Sequence, residues 1–251
     1  MESAEISQLY QDGACYDRMY HGGHDLAFWI DRAKGCGGPV LELAVGTGRI
    51  AIPLAAGGCD VTGIDSSEAM LTRGREKASA AGVEVDWGSA DMRDFDLGRT
   101  FPLIILANNT LCHLLTRLDF ERCMTCVRRQ LATGGRFIID VFVPSLRILL
   151  HDPEQRHPFA SYEDSDTGRT VTVTAGNRYE SHTQINRITM FRTVSGASEE
   201  ETGTLDMRMY FPQELDALLE YNGLRIEHKF GNFDRDPFDA NSPKQVIVCA
   251  P

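Results

Sequence analysis

The residues best suited to chemistry lie in three short stretches of the first half of the chain. The first is the glycine-rich stretch Gly46-Thr47-Gly48, which follows an apolar run. Glycines there let the backbone approach a ligand closely, and a helix that begins after them favours electron-rich groups. Asp65 ends the next apolar run, where a carboxylate can accept both hydroxyls of an adenosine ribose. Asp91-Met92 closes a loop after the third run, so the three stretches together predict an adenosine pocket.

Alternating strands and helices must position these residues. Continuous apolar runs separated by helical patterns predict a parallel sheet that is covered on both faces. Two more apolar runs near the end of the chain bring the sheet to seven strands. The fold class is therefore α/β, with a Rossmann-like, mostly parallel seven-stranded sheet. The predicted strands are 39–44, 59–64, 83–87, 101–107, 136–143, 224–229 and 245–249, and the predicted helices are 5–34 with an interruption around 21–23, 49–56, one that opens at Ser66 or Ser67, 118–131 and 212–221.

A different pattern occupies the segment from about residue 169 to residue 210. Apolar and polar residues alternate there, and turn residues at Gly176-Asn177, Ser195-Gly196 and Gly203 interrupt the alternation. Short alternating runs separated by turn residues are typical of β-hairpins. We therefore predict a small antiparallel β insertion.

The composition is that of one folded domain, or of one domain with an inserted piece, with 251 residues of which 42% are hydrophobic. The formal net charge of -11 argues against binding to nucleic acid, because such affinity comes largely from Lys and Arg that neutralise phosphates. The polar N-terminus predicts no signal peptide, and no apolar run approaches membrane-spanning length. The odd number of cysteines, seven, fits a reducing compartment, so we expect a cytoplasmic protein.

One pair of cysteines, Cys123 and Cys126, has the spacing of a metal or redox site. The pair lacks the second pair that a zinc site needs, and it falls inside a helical pattern, which favours a structural role. The histidines do not combine with carboxylates at the spacing of metal ligands. We therefore predict no metal.

In their order and spacing, several stretches resemble the successive motifs of class I S-adenosylmethionine-dependent methyltransferases. Within that class the sequence is most similar to bacterial small-molecule methyltransferases with a Tyr-Asp-x-x-Tyr segment near the N-terminus. The resemblance extends over most of the chain and implies S-adenosyl-L-methionine as the cofactor. The stretches that carry it are 16–20, 41–49, 63–71, 90–95, 131–137 and 210–215.

The resemblance also implies roles for single residues. Glu42 is expected near the methionine amino group, Asp65 at the ribose hydroxyls and Asp91 at the adenine amino group. Ala44 and Val45 take places where the family commonly has glycine or cysteine, and alanine is small enough to serve there. After the fourth strand, residues 107–110 lack the Asp/Asn-Pro-Pro-aromatic pattern of many nucleic-acid amine methyltransferases, which argues against a DNA substrate. The other predicted cofactor-binding residues are Tyr20, Ala44, Gly46, Gly48, Ser66, Met70, Met92 and Leu106.

Methyl transfer from a sulfonium is an in-line displacement, in which alignment and the exclusion of water matter most. A hydroxyl acceptor benefits from a general base, whereas a neutral amine needs no strong one. His113, just past the fourth strand, and Tyr16 are the candidate catalytic residues. For His113 a contact with cofactor or backbone is the simpler explanation, and Tyr16 could equally pack an N-terminal helix. For Arg178, Arg208 and Tyr210 in the insertion, a solvated strand face or a salt bridge is a simpler explanation than substrate contact.

We divide the chain into an N-terminal helical lid (1–36), a Rossmann-like core that binds S-adenosylmethionine (37–144), an antiparallel lid and substrate insertion (145–210), and a C-terminal helix and strands that complete the core (211–251). The predicted reaction transfers a methyl group to an N or O atom of a small-molecule acceptor. We expect neither nucleic acid nor a membrane as a partner, and we leave a homodimer open.

Three alternatives remain at this point. A nicotinamide-dependent oxidoreductase uses the same glycine-rich fingerprint, but the chain has no Tyr-x-x-x-Lys motif for hydride transfer. A non-catalytic sensor of an adenosine ligand stays open, although nothing resembles a separate output domain. A protein or RNA methyltransferase is disfavoured by the excess of acidic residues.

Overall fold

The computed structural model describes residues 10–19, 22–164 and 167–251. Its strands form two separate sheets, numbered here in chain order. The large sheet contains β1 (Val40–Leu43), β2 (Val61–Asp65), β3 (Asp86–Ser89), β4 (Phe101–Leu106), β5 (Leu131–Phe142), β10 (Arg225–Phe230) and β11 (Lys244–Ala250). The small sheet contains β6 (His157–Glu163), β7 (Thr170–Glu180), β8 (Ile185–Val194) and β9 (Glu200–Arg208).

The strand order of the large sheet reverses between β1 and β4. The order is β10-β11-β5-β4-β1-β2-β3, in which the first five strands of the chain are parallel and β11 alone runs antiparallel to its neighbours β5 and β10. In such sheets ligands bind at the carboxyl ends of the strands, beside the point of reversal. The predicted mostly parallel, seven-stranded sheet is confirmed, and its expected binding edge lies next to β1.

The helices are α1 (Gly13–Met19), α2 (Leu26–Cys36), α3 (Ala51–Ala56), α4 (Glu68–Ala81), α5 (Arg117–Gln130), α6 (Leu146–Leu149) and α7 (Pro212–Tyr221), with a 3₁₀ helix at Thr110–His113. They cover both faces of the large sheet. On one face α5 and α7 bury Phe120 and Leu215, and on the other α2 and α3 bury Trp29 and Leu54. None of the helices in the described part of the chain is long and apolar enough to cross a membrane.

Side-chain caps determine where the two longest helices begin. The Ser67 hydroxyl accepts a hydrogen bond from the backbone N–H of Met70, at 3.3 Å, and so starts α4. Thr116 and Asp119 form a reciprocal capping box at the start of α5. Because the first of these helices follows β2 directly, its cap also fixes the loop at the binding edge.

The small sheet packs one face against the N-terminal helix. Val173, Met190 and Leu205 on that face are buried and contact Tyr16 and Met19 of α1. The other side of α1 contacts α4. The helix therefore lies between the small sheet and the large domain, beside the carboxyl ends of the strands.

The predicted antiparallel insertion is confirmed, but two of its predicted turns are wrong. Gly176-Asn177 lies inside β7 and Gly203 inside β9, whereas the Ser195-Gly196 turn is where it was predicted. A β-carbon at position 176 would lie 3.5 and 3.6 Å from the carbonyl oxygens of Pro153 and Gln155, which is ordinary van der Waals contact. Gly176 and Gly203 are therefore strand residues, and glycine alone does not mark a turn in this segment.

Strand β6 was not predicted, and β3 begins three residues later than its prediction. The delay has a local cause: the N–H of Val83 donates to the carbonyl oxygen of Ala78, at 3.1 Å, and the N–H of Gly82 donates to Ser79. These bonds close the end of α4 over the residues that the apolar pattern assigned to the strand. Gly82 itself has a φ of +67°.

Ala44 adopts a backbone conformation that favours glycine. Its φ is +51°, directly after the last residue of β1. For a residue with a β-carbon this left-handed region costs roughly 1–2 kcal/mol. Alanine is tolerated there as the smallest residue with a side chain, which supports the sequence-based expectation that it can replace the glycine common in the family.

Ala44→Gly should therefore leave stability unchanged or raise it slightly, whereas Ala44→Val should lower it by about 2 kcal/mol or more, because a β-branched residue is strained at positive φ. Urea denaturation followed by circular dichroism measures both changes. Ala80→Gly, on an exposed turn of α4, is the matched control and should cost about 0.5–1 kcal/mol. Equal losses for the two glycine variants would contradict the assigned conformation of Ala44.

Candidate functional site

A cleft of about 1740 Å³ opens at the carboxyl ends of β1, β2 and β4. It continues from that edge to the small sheet, where Asn177, Ile188 and Leu205 form part of its wall. Ten of the predicted site residues line it together. They are Tyr16, Glu42, Ala44, Gly46, Asp65, Ser66, Met70, Asp91, Met92 and His113.

The carboxylate of Asp65 joins the two loops that border the cleft. Its Oδ2 accepts a hydrogen bond from the backbone N–H of Gly46, at 2.9 Å, and its Oδ1 accepts one from Ser67, at 2.8 Å. Burial raises the pKa of Asp65 above its ordinary value, against the opposing effect of these bonds. The side chain is therefore held rigidly at the end of β2, with its edge at the cleft.

Glu42 places a second carboxyl group in the cleft wall, and this one is almost completely buried at 4% exposure. Its Oε2 has no hydrogen-bond partner in the described residues. Burial raises the pKa of Glu42 to about 8, although the Arg49 guanidinium opposes the shift. The group is mainly protonated at neutral pH.

Arg49 cannot neutralise Glu42 directly, because its guanidinium is already paired. It donates two hydrogen bonds to the carboxylate of Asp25, at 2.6 and 2.8 Å, and the indole N–H of Trp29 donates a third, at 2.9 Å. Asp25 is 3% exposed. This buried pair fixes the start of α2 to the stretch 44–49, which we call the glycine-rich turn.

A third aspartate, Asp17 of α1, holds the middle of the same turn. Its Oδ1 accepts hydrogen bonds from the Thr47 hydroxyl, at 2.6 Å, and from Lys77 Nζ, at 2.8 Å. Arg73 of α4 donates to the other oxygen at 3.2 Å. Burial opposes the ionised form of Asp17, but these bonds hold its pKa below the ordinary value. The motif pattern contained Asp17 and Thr47 without showing that they meet.

His113 and the N-terminal residues meet at the other wall of the cleft. The Tyr10 hydroxyl lies 3.0 Å from Nε2 of His113 and forms a hydrogen bond with it, and the rings are in edge contact. Burial lowers the pKa of His113 to about 4, so the ring is neutral near pH 7. Asn108 donates to the Tyr16 hydroxyl at 3.1 Å, and burial raises the pKa of Tyr16.

The Asn108-Asn109 loop is held by a buried ion pair. Both residues have positive φ, +58° and +61°, a conformation that asparagine tolerates better than most residues. The backbone N–H of Asn108 donates to Asp140, at 2.6 Å, and Asp140 is paired with Lys244 at 2.7 Å. Asp140 is 1% exposed. The loop therefore presents the Asn108 side chain to the cleft from a fixed backbone.

The carboxylate of Asp91 lines the cleft but is already paired. Arg93 donates to both of its oxygens at 2.6–3.1 Å and also to Asp119 at 2.9 Å. These bonds hold the pKa of Asp91 below its ordinary value although burial opposes them. An adenine amino group at this site would share the carboxylate with Arg93.

Two of the predicted cofactor residues do not line the cleft. Gly48 has a φ of +81°, and a β-carbon there would come within 3 Å of the side chains of Trp87 and Ile52. The glycine is thus required by packing inside the domain. Leu106 is completely buried in the hydrophobic core, and Ala107, the next residue, lines the cleft in its place. Tyr20, a third predicted residue, lies outside the described residues.

The insertion residues divide between cleft and core. Arg178 lines the cleft. Arg208 is paired with Glu214 at 2.5 Å, and the buried Tyr210 hydroxyl donates to the carbonyl oxygen of Leu114 at 2.5 Å. The last two are therefore structural, as the simpler explanation proposed.

Cys123 and Cys126 are buried in α5 as free thiols. Within the residues that the structure describes, no group of three or more histidine, cysteine or acidic side chains could hold a metal ion. Their spacing of three residues places both cysteines among the buried residues of α5, so helix packing accounts for it.

Comparisons with known proteins agree with this geometry. The family described as "Methyltransferase domain" matches residues 40–135. The dTDP-4-amino-2,3,4,6-tetradeoxy-D-glucose N,N-dimethyltransferase of Saccharopolyspora spinosa is 30% identical over 197 residues, which are 75% of this chain and 72% of that protein. The solved structure of the CcbJ methyltransferase from Streptomyces caelestis aligns with a TM-score of 0.77 at 28% identity, covering 91% of this chain and 96% of the other. The sugar N-methyltransferase KedS8 from Streptoalloteichus sp ATCC 53650 shares the fold, with a TM-score of 0.72 at 20% identity over 99% and 95% of the two chains.

Replacing Glu42 should change how stability depends on pH. In the folded protein the pKa is about 8, against an ordinary value of 4.5, so the wild type loses stability as the pH rises from about 5 to 8. Glu42→Gln removes this loss. The stability of the variant relative to the wild type should therefore rise by about 4 kcal/mol between pH 5 and pH 9. Urea denaturation at several pH values measures the difference, with exposed Glu84→Gln as the control; parallel curves for wild type and Glu42→Gln would rule out the raised pKa.

Proposed function

The chain belongs to the S-adenosylmethionine-dependent methyltransferases, and from this identity we propose that it methylates an amine nitrogen of a small polar molecule. Membership in this family excludes the alternative of a nicotinamide-dependent oxidoreductase. The observation that carries the proposal is one continuous cleft. It is lined by the predicted cofactor residues at β1 and β2, by the inner face of the small sheet, and by His113, which is neutral near pH 7.

The residues of the cleft fit the cofactor. The unpartnered Oε2 of buried Glu42 suits an ammonium group, which can donate to it. Asp65 is held by backbone N–H groups at the end of β2, where its carboxylate can accept the ribose hydroxyls. Ala44, Gly46 and Met70 leave an open wall for the methionine and adenine parts. We propose these roles for them.

When bound, the cofactor supplies an electrophilic methyl group on a sulfonium. The contribution of the protein is then to align the acceptor in line with that methyl group and to keep water out. We propose that the N-terminal helical segment (1–36) and the insertion (145–210) form the lid over the core (37–144 and 211–251). The contact of α1 with both the small sheet and α4 supports this division.

The charge state of the cleft favours an amine over a hydroxyl acceptor. His113, with a pKa of about 4, is a weak base, and the pKa of Tyr16 is raised by burial, so neither supplies an efficient base near pH 7. A neutral amine attacks with its own lone pair and needs a base only to take up the proton released afterwards. The names of two similar proteins point the same way, since one is a sugar N-methyltransferase and the other an N,N-dimethyltransferase of a dTDP-amino sugar.

Two assays test the proposal. Differential scanning fluorimetry with S-adenosylhomocysteine, NAD and NADP should show stabilisation by the first ligand alone. Mass spectrometry of reactions with S-adenosylmethionine and a panel of amino sugars and their hydroxyl counterparts should then show a gain of one methyl mass on the amines. Methylation of the hydroxyl compounds only would overturn the choice of nitrogen.

Asp65→Ala should lower the affinity for S-adenosylmethionine by at least about tenfold, because it removes a charged acceptor of two ribose hydroxyls. Isothermal titration calorimetry measures the change. Asp60→Ala, an exposed aspartate just before β2, is the control and should bind like the wild type. Unchanged affinity of a folded Asp65→Ala protein would contradict the ribose role.

His113→Gln separates the two kinds of acceptor. With an amine acceptor kcat should fall by less than about tenfold, whereas loss of a general base would cost about 10²–10⁴-fold. Because His113 stays neutral above about pH 5, kcat should also show no inflection from this group between pH 6 and pH 8. Single-turnover kinetics across this range measure both effects, and a large loss would assign His113 as a base.

A further inference from the structure

The surroundings of the Glu42 carboxyl group in the cleft disfavour its ionised form. It is 4% exposed, and its Oε2 has no hydrogen-bond partner in the described residues. A buried carboxylate without a partner is expensive, and such groups take up a proton instead. The backbone N–H of Ala51 favours the ionised form but does not offset the effect of burial.

The charged groups around Glu42 preserve this state. Arg49, in the glycine-rich turn, is a cation that acts on it, and both arms of that guanidinium are held by Asp25 at the start of α2. Asp65 at the end of β2 and Asp25 both act on Glu42 as like charges. Asp140 of β5 acts on Arg49 in turn and is itself paired with Lys244.

We infer that Glu42 is a charge-selective element of the cofactor site, which gives up a proton to solvent when a ligand with an ammonium group binds. The O–H bond of the neutral carboxyl group breaks, the proton passes to buffer, and the carboxylate accepts a hydrogen bond from the ammonium. The inference rests on the proposed cofactor site and adds to it a coupling between binding and pH.

The direction of the coupling follows from the pKa of Glu42, which burial raises to about 8 in the free protein. A cation beside the carboxyl group favours its ionised form and so lowers that pKa. At pH 6.5 the free protein holds the proton, and binding should release about one proton per ligand. Affinity should then rise by close to tenfold per pH unit between pH 6 and pH 7 and level off above pH 8.

The coupling should also discriminate between ligands. A ligand with the same adenosine thioether but no amino-acid part contacts the ribose and adenine regions without presenting a cation to Glu42. It should bind without releasing a proton, and its affinity should not rise with pH. The comparison also separates Glu42 from Asp65, whose pKa burial raises as well.

Isothermal titration calorimetry of the wild-type protein at pH 6.5, in PIPES and in imidazole, is the test. The two buffers differ in ionisation enthalpy, so the difference in observed heat counts protons. The probes are S-adenosylhomocysteine and 5′-methylthioadenosine. We expect release of about one proton with the first and none with the second. Glu42→Gln should release none with either ligand, whereas Glu154→Gln, a carboxyl group elsewhere on the cleft, should behave like the wild type.

The outcomes separate this inference from the proposed function. If S-adenosylhomocysteine does not bind, both fail. If it binds with the same heat in the two buffers, the cofactor site stands and the proton release is wrong. If Glu42→Gln still releases a proton, the coupling belongs to another group and the role of Glu42 is overturned. The wild-type comparison of the two ligands decides the inference even if the Glu42→Gln protein fails to fold.

Discussion

Three aspartates hold the glycine-rich turn, and the rest of the site depends on that arrangement. Asp65 accepts from the backbone of Gly46, Asp17 from the hydroxyl of Thr47, and Asp25 from the guanidinium of Arg49. The three come from β2, α1 and the start of α2, so a single turn ties the large sheet to the N-terminal segment. Hydrogen bonds to charged groups are among the stronger polar contacts in proteins, and several of these are shielded from water. A turn held in this way can keep strained torsions, such as that of Ala44.

The sequence predicts well the positions of residues that lie in or directly after the strands of the parallel sheet. Glu42 lies within β1, and Asp65 and the Asn108-Asn109 loop end or follow strands of a parallel sheet, so the alternation of apolar runs is enough to bring them to one edge. Their burial is not predictable in the same way. Among the described residues Oε2 of Glu42 has no partner, and the charge of nearby Arg49 is shared with Asp25 through a contact across 24 residues.

Contacts between distant segments explain what the sequence missed. The bond from Thr47 to Asp17 spans 30 residues, and that between Tyr10 and His113 spans 103. No local pattern encodes such pairs. Leu106 and Gly48 show the opposite error, since both occupy positions expected for ligand contact but serve the packing of the domain. Glycine and leucine at these motif positions can serve either ligand contact or packing, and the tertiary contacts determine which of the two applies.

Helix α1 is attached to the large domain in an unusual manner. Of its seven residues only Gly13 is buried, and its link to α4 and the turn runs through the ionised group of Asp17 with Lys77 and Arg73. Ion pairs at a partly exposed surface weaken as salt rises, whereas apolar contacts do not. Higher ionic strength therefore weakens the contribution of these ion pairs to the attachment of α1, whereas the apolar packing of Tyr16 and Met19 against the small sheet is retained.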